Sequence, residues 1–575
     1  MSYPKFRILD ATIFEIGVDS YGHDLDSVFP IKQLDFLSSN RFGFGFRSYI
    51  DAIGTYDYFA DPEPPFRPFV AGPQLDWFSL RGFGYGGNAD YGGISSFGRM
   101  SRMNFRSLYI NDRGDDRDRA RELGWFPLEN QDRGRARLTY SQAFGKGWQL
   151  DGRGYYLSDR NFQREFYESE YDLNDPTISY LHLTRRWGNM NAFLRAQPSL
   201  NAWESNTEFY GLGFITERES VGDFGLLMST DTRVGLLHFR PETDSVIDPI
   251  STIRGDSRVR FNMPLELGPF AFDPYAGARL TMANSFLEID ESAGRPGLGA
   301  DGKFSGLRAG DRRKGGLLYR VLPFVGFNLQ TFFTGVFPSV KIPGLDIDGI
   351  RHVIAPFVRY QNTYYNSLDE VSDRAFIPLD GVDNLDEFHE IRFGIRNRIQ
   401  TRQGFGEGRR TVDYFELNAE LPLYPNRKRD NAGDLLGDLE VTTTWRPAPG
   451  FALAGEMFLE PHTGNFSRSS ASFRFDILNV GKANVYYRLL KGQHQVIGAQ
   501  VDLALSEFYG INVKQEYDME NGLWLDTRAE LSRRILEAFD LGFVFVRRAS
   551  TGEIGFSINI SLAFEGTRGS SGLVR

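Results

Sequence analysis

The sequence contains no cysteine, which excludes a disulfide framework and every thiolate site without fixing a compartment. It also lacks any run approaching the roughly 18 apolar residues that a membrane-spanning helix requires, because charges interrupt each apolar stretch. A helical membrane protein is therefore excluded. Histidine is scarce and scattered (His23, His182, His238, His352, His389, His462 and His494), with no His-Glu-x-x-His helix and no pair at metal-ligand spacing. No Gly-x-Ser-x-Gly elbow is present. Residues 82–87 (GFGYGG) have no surrounding βαβ unit and read as close-packed twisted strands rather than a dinucleotide fingerprint. Residues 386–390 (DEFHE) have the wrong order for a zinc protease and read as a loop entering a strand. No catalytic residue, cofactor or metal site is expected, so the chain is not expected to be an enzyme. Positive charge is not in excess: 65 Lys and Arg face 75 Asp and Glu, a net charge of −10, and no basic stripe offers itself to nucleic acid. The opening residues MSYPKFR lack the apolar core of a secretory signal.

What is abundant is glycine and aromatic side chains: 62 Gly, 50 Phe and 26 Tyr in 575 residues. Twisted strands and tight turns use this combination. Length alone would suggest three or four domains, but no composition shift marks a boundary. Period two dominates instead. Ile554, Phe556, Ile558, Ile560, Leu562 and Phe564 alternate with Gly555, Ser557, Asn559, Ser561 and Ala563, which places a large apolar set and a small or polar set on opposite strand faces. Phe539, Leu541, Phe543 and Phe545 repeat the pattern, and residues 547–552 join the two segments as a hairpin. Leu523, Leu525, Thr527, Ala529 and Leu531 behave likewise, as do Ala136, Leu138 and Tyr140, and Phe42, Phe44 and Phe46 against Gly43 and Gly45. Residues 111–122 (NDRGDDRDRARE), 292–316, 369–387 and 425–438 read as long loops, the first of them solvated, and alternation resumes after each.

The deciding question is what the apolar face meets. A sandwich buries it against a second sheet and would need several domains with linkers. A transmembrane barrel turns it to lipid, turns the other face to a wet lumen and leaves no edge. Charges inside the alternation, such as Asp502, Asp526, Arg528 and Glu530, suit a hydrated lumen. The expected fold is therefore all-β, one large antiparallel transmembrane β-barrel. A repeat of ~20–22 residues places about 24–26 strands between Arg41 and Phe564.

Three segments resemble the LptD family of outer-membrane lipopolysaccharide-assembly proteins. Residues 155–166 (YYLSDRNFQREF) are similar to the tyrosine, Ser-Asp, aromatic segment after an early hairpin of that family. Residues 351–360 (RHVIAPFVRY) resemble its mid-barrel strand, and after a long polar loop residues 393–399 (FGIRNRI) resemble the strand that follows. In order and spacing the resemblance extends over roughly residues 41–564. It implies the bacterial outer membrane as location. It also implies an N-terminal periplasmic jellyroll, so residues 1–38 are expected to be the remnant of that segment, 39–566 the barrel and 567–575 a C-terminal tail. The chain departs from enteric members in having no cysteine for disulfides between jellyroll and barrel.

The resemblance further implies that lipopolysaccharide passes to the outer leaflet, its sugars through the lumen and its acyl chains sideways between first and last strands. Exposing acyl chains to water costs about 0.8 kcal/mol per CH₂, so a lipid with several chains needs such a seam. The seam is expected at Pro30, Phe42, Gly43, Phe44, Gly45 and Phe46 on one side and Ile554, Phe556, Ile558, Ile560, Leu562 and Phe564 on the other. The implied partners are lipopolysaccharide, a plug lipoprotein of LptE type inside the barrel, and a periplasmic lipid-bridge protein reached through the N-terminal domain. The alternatives are a porin or substrate-specific channel, with usually 16 to 18 strands, and a plugged transporter with 22.

Overall fold

Strands with one apolar and one polar face pair until no edge is left exposed. The computed structural model describes residues 5–8, 11–15, 31–52, 69–94, 99–114, 131–167, 170–171, 176–243, 245, 247–288, 312–368, 374–404, 406, 409–448, 450–477, 480–492, 494–535, 539–549 and 552–562. They form a closed antiparallel barrel of twenty-six strands. The first is Ile31–Ser39 and the twenty-sixth Glu553–Leu562; each strand pairs with its neighbours in sequence, and the ring closes where the first meets the last. Two strands are interrupted. The twelfth, Ile250–Asn262, resumes as Leu265–Leu267 after Pro264, and the fourteenth, Arg312–Thr331, resumes as Phe333–Ile342. Lys5–Ile8 and Ala11–Glu15 form a separate two-stranded sheet.

The barrel begins inside the segment expected to precede it. Ile31–Ser39 carries Leu34 and Phe36 on one face but Leu37 beside Asp35 on the other, so its alternation is blurred. The fourteenth strand likewise starts at Arg312, within the expected loop 292–316. Register confirms the facing read from the alternation. Leu531 lies opposite Phe543, Phe543 opposite Ile558, Ile558 opposite Phe36, Phe36 opposite Phe46, Phe46 opposite Trp77 and Trp77 opposite Phe83. This outer apolar band runs unbroken across the closure. The rung beside it on the inner face is Ser532, Gly542, Asn559, Asp35, Arg47, Asp76 and Gly84.

The two ends of the barrel differ. Apart from residues 51–68, connections at one end are short, such as 146–147 and 188–189, whereas the other end carries 112–131, 158–179 and 364–387. Membrane barrels place short turns in the periplasm and long loops outside. Two of the long connections fold inward. One contains a short helix, Phe162–Phe166; the other contributes Arg374–Ala375, which pairs with the thirteenth strand, Phe270–Glu288.

Candidate functional site

The seam joins Gln33 to Ser561, Leu34 to Ile560, Asp35 to Asn559, Phe36 to Ile558, Leu37 to Ser557, Ser38 to Phe556 and Ser39 to Gly555. The last strand holds Ile554, Phe556, Ile558, Ile560 and Leu562. On the other side the expectation is corrected: the strand paired with it is Ile31–Ser39, and Phe44, Gly45 and Phe46 lie one strand further in, on Gly43–Ile50. Phe42 sits in the turn between the two strands, and its ring is buried. The clean Phe-Gly alternation of residues 42–46 outshone the blurred strand before it. Pro30 and Phe564 lie outside the described residues.

Both glycines have steric reasons. Gly43 has φ +70°, the left-handed conformation a tight turn needs. At Gly45 a Cβ would come 2.3 Å from the Trp77 carbonyl oxygen and 2.7 Å from the Phe78 ring, so the second and third strands (Phe69–Phe78) could not approach as they do. The ladder between them is short, five pairs from Gly45–Phe78 to Tyr49–Gln74. The seam itself is no shorter than this neighbour.

At the long-loop end a clasp closes the seam. Asn40 Nδ2 donates to the Gly552 carbonyl at 2.8 Å, and the Ile554 N–H donates to Asn40 Oδ1 at 3.0 Å. Arg41 Nη1 meets Glu553 Oε2 at 3.4 Å, and Arg548 Nη1 approaches the same oxygen at 3.3 Å. Arg41 Nη2 also donates to the Arg164 carbonyl in the inward-folded loop at 3.1 Å. The clasp is therefore continuous with that loop.

The loop is held by an apolar cluster and an ionic one. Phe42, Phe78, Leu108, Ile110, Tyr155, Leu157, Phe162 and Phe166 form one buried cluster, with ring centroids 5.6 Å apart for Phe42–Phe166 and 4.8 Å for Phe162–Phe166. Beside it Arg81 pairs with Asp112 at 2.9 Å and with Glu165, while Arg133 pairs with Asp112 and Glu165 at 2.7 Å each. Asp159 accepts from Arg133 through both oxygens, at 2.8 and 2.9 Å. Arg81, Asp112, Arg133 and Glu165 are almost wholly excluded from solvent, so each charge depends on the others. Asp112 corrects the expectation of a solvated loop: it belongs to this core. The residues concerned are up to 84 positions apart, and the one local signal is the resemblance at 155–166, whose Asp159, Phe162, Glu165 and Phe166 all take part.

The second inward loop sits against the wall of the eleventh to fourteenth strands. Leu237, Phe239, Ile250, Leu287, Ile377 and Leu379 pack together. Arg254 reaches Asp380 at 2.5 Å and Asp383 at 2.7 Å, and Arg320 donates to the carbonyls of Val382, Asp383 and Leu385 at 2.5–2.8 Å. Burial pushes the Asp383 carboxyl up to about 6. Burial acts the same way on Asp380, but the Arg254 hydrogen bond prevails and holds it below its ordinary value. Among the described residues no group of His, Cys, Asp and Glu could hold a metal ion, and no helix is long and apolar enough to cross a membrane.

No protein-family model matches the chain, and no curated protein does. Among solved structures the siderophore receptor PirA from Pseudomonas aeruginosa is similar at 10% identity over 87% of this chain and 81% of its own, with a TM-score of 0.37. A mutant Rh. blastica porin is similar at 9% identity over 59% of this chain and all of its own, with a TM-score of 0.22. It is the strand pairing, and not these matches, that shows the closed barrel.

Proposed function

We propose that this barrel is an outer-membrane translocon that delivers lipopolysaccharide to the outer leaflet, releasing the acyl chains through the seam between the first and last strands. The observation that carries the reading is the clasp: Asn40 and Arg41 tie the first strand's end both to the last strand and to a loop folded into the mouth, so loop position and seam closure are coupled. An opening that must pass sugar upward and acyl chains sideways needs such coupling, because neither part can move alone. The apolar band on both flanks of the seam gives the chains a lipid-facing exit without crossing water. Twenty-six strands leave a lumen wide enough for an internal plug lipoprotein, since barrels of 22 already hold a plug, and both termini of the barrel lie at the short-turn end, where a periplasmic lipid-bridge protein would dock.

The test is a disulfide across the seam. The absence of native cysteine makes it clean. Leu37→Cys with Ser557→Cys bridges the first and last strands, and Val544→Cys with Ser557→Cys bridges an ordinary neighbouring pair. The seam lock is expected to stop delivery of lipopolysaccharide to the cell surface while the control lock leaves it intact. Normal delivery with the seam lock fully oxidised would overturn the reading. A general channel is the second reading, favoured by the charged lumen; it predicts stable open conductance in planar bilayers that the seam lock does not alter.

A further inference from the structure

The inner wall is not uniformly charged. On the fifteenth and sixteenth strands (Ile347–Thr363 and Phe388–Gln403) the face opposite exposed Phe393 and Ile395 carries Arg351, Arg359, Arg392, Arg396, Arg398 and Arg402. The seventeenth to nineteenth strands (Arg410–Leu423, Leu439–Trp445 and Phe451–Leu459) carry Glu416, Glu420, Glu440 and Glu456 on the same face, and the last two of these strands contain no Lys or Arg. Some of the arginines at the border are neutralised, as Arg392 is by Glu390 and Glu420. Others are not: Arg258, Arg260, Arg351, Arg396 and Arg402 form no ion pair among the described residues, and all but the half-buried Arg260 are exposed to the lumen.

Three of these guanidinium groups are held in place by rings. Arg258 lies 5.0 Å from the centroid of Phe324, Arg260 3.8 Å from Tyr275, and Arg396 4.9 Å from Phe357. Each ring in turn rests on a glycine of an adjacent strand, where a Cβ would collide with it: Phe324 on Gly277, Tyr275 on Gly326 and Phe357 on Gly394. A planar guanidinium stacked on an aromatic face keeps its in-plane N–H donors free and pre-oriented for a bidentate oxyanion. The carboxylates on this wall are engaged by other partners, Asp256 by Arg279, Asp273 by Asn262, Asp348 by Lys341 and Arg409, and Glu390 by Arg392, so the remaining guanidinium groups repel one another unless an anion is present.

We propose that the inner wall of the twelfth to sixteenth strands is a binding track for phosphate groups borne on a saccharide, with Arg258, Arg260 and Arg396 as its stacked contacts and Arg351 and Arg402 as accessory charges. The acidic wall beside it repels the same anion and confines it to the track. The saccharide part of this inference rests on the translocon reading; the anion site does not.

Purified full-length chain in detergent is titrated with trehalose 6-phosphate, with trehalose, with inorganic tripolyphosphate and with a polyglutamate peptide. The expected result is that both phosphates bind and trehalose does not, and that the sugar phosphate binds at least as tightly as polyphosphate does per phosphate group. The triple variant Arg258→Gln/Arg260→Gln/Arg396→Gln is expected to weaken sugar-phosphate binding at least tenfold with unchanged heat-modified mobility, while Arg468→Gln/Arg528→Gln elsewhere in the lumen leaves it unchanged. Should the triple variant fail to form a barrel, the single variants Arg258→Gln and Arg396→Gln are each expected to weaken binding severalfold. Undiminished binding in a folded variant, or tighter binding of polyglutamate than of either phosphate, overturns the proposal, the latter pointing to an acidic protein face. Failure of the seam lock to affect lipopolysaccharide delivery leaves these outcomes untouched.

Discussion

Facing decides what a single residue can tolerate. Ile558 projects from the last strand on the apolar band and is 40% exposed, whereas its neighbour Asn559 lies opposite Asp35 on the inner rung. Ile558→Arg is expected to cost about 2–4 kcal/mol if it lies near the bilayer midplane, and Asn559→Arg little. Folded fraction in lipid vesicles, read by heat-modified mobility under urea titration, checks the contrast. Asp383 behaves differently, because its carboxyl titrates at about 6 in the docked loop and near 3.9 when the loop is free. Between those values the docked loop binds more protons, so docking strengthens as pH falls toward about 4 and loses this contribution as pH rises through about 6. Asp380, held low, works the other way: its contribution is present above its ordinary value and fades as pH falls through the docked one. Asp383→Asn is expected to remove the first dependence and leave the second, as read from spin-label distances between residue 378 and the wall.

Among elements, the five-residue helix Phe162–Phe166 is far too short to persist alone. It exists because Phe162 and Phe166 enter the cluster with Phe42 and Phe78, and because Glu165 meets two arginines. Replacing residues 162–166 by Gly and Ser is expected to leave the barrel folded and loosen the clasp, since the backbone carbonyl at position 164 is no longer held against Arg41 by the packed helix. Faster hydrogen exchange at the Asn40 and Ile554 amides, with the Val544 amide unaffected, is the measurable sign. The strands themselves were legible in the sequence wherever the two faces contrast, as at residues 554–562. Ile31–Ser39 was not, because Leu37 puts an apolar side chain on its inner face beneath the loop. The helix and Asp112 escaped as well. Their partners are distant in the chain, and nothing local distinguishes a charge that will be buried from one that will be solvated.

For the molecule as a whole, period two and loop spacing suffice for a barrel of about the right strand number, since alternation is a local property that every strand carries. Which strands form the seam is not local: it is fixed by where the ring closes. The arginine wall was equally out of view, because Arg258, Arg351 and Arg396 look like ordinary polar partners in alternating strands until register brings their strands side by side.

The closing contact between Asn40 and Ile554 joins residues 514 positions apart. Bringing such distant segments together costs roughly 5–6 kcal/mol of chain entropy by the logarithmic loop rule, about twice that of a single hairpin. Until the last strand is in place, the side of the first strand turned away from the second has no partner, and such an edge is a template for any passing strand. The closure that costs the most chain entropy is thus also the one that removes the last open edge of the sheet.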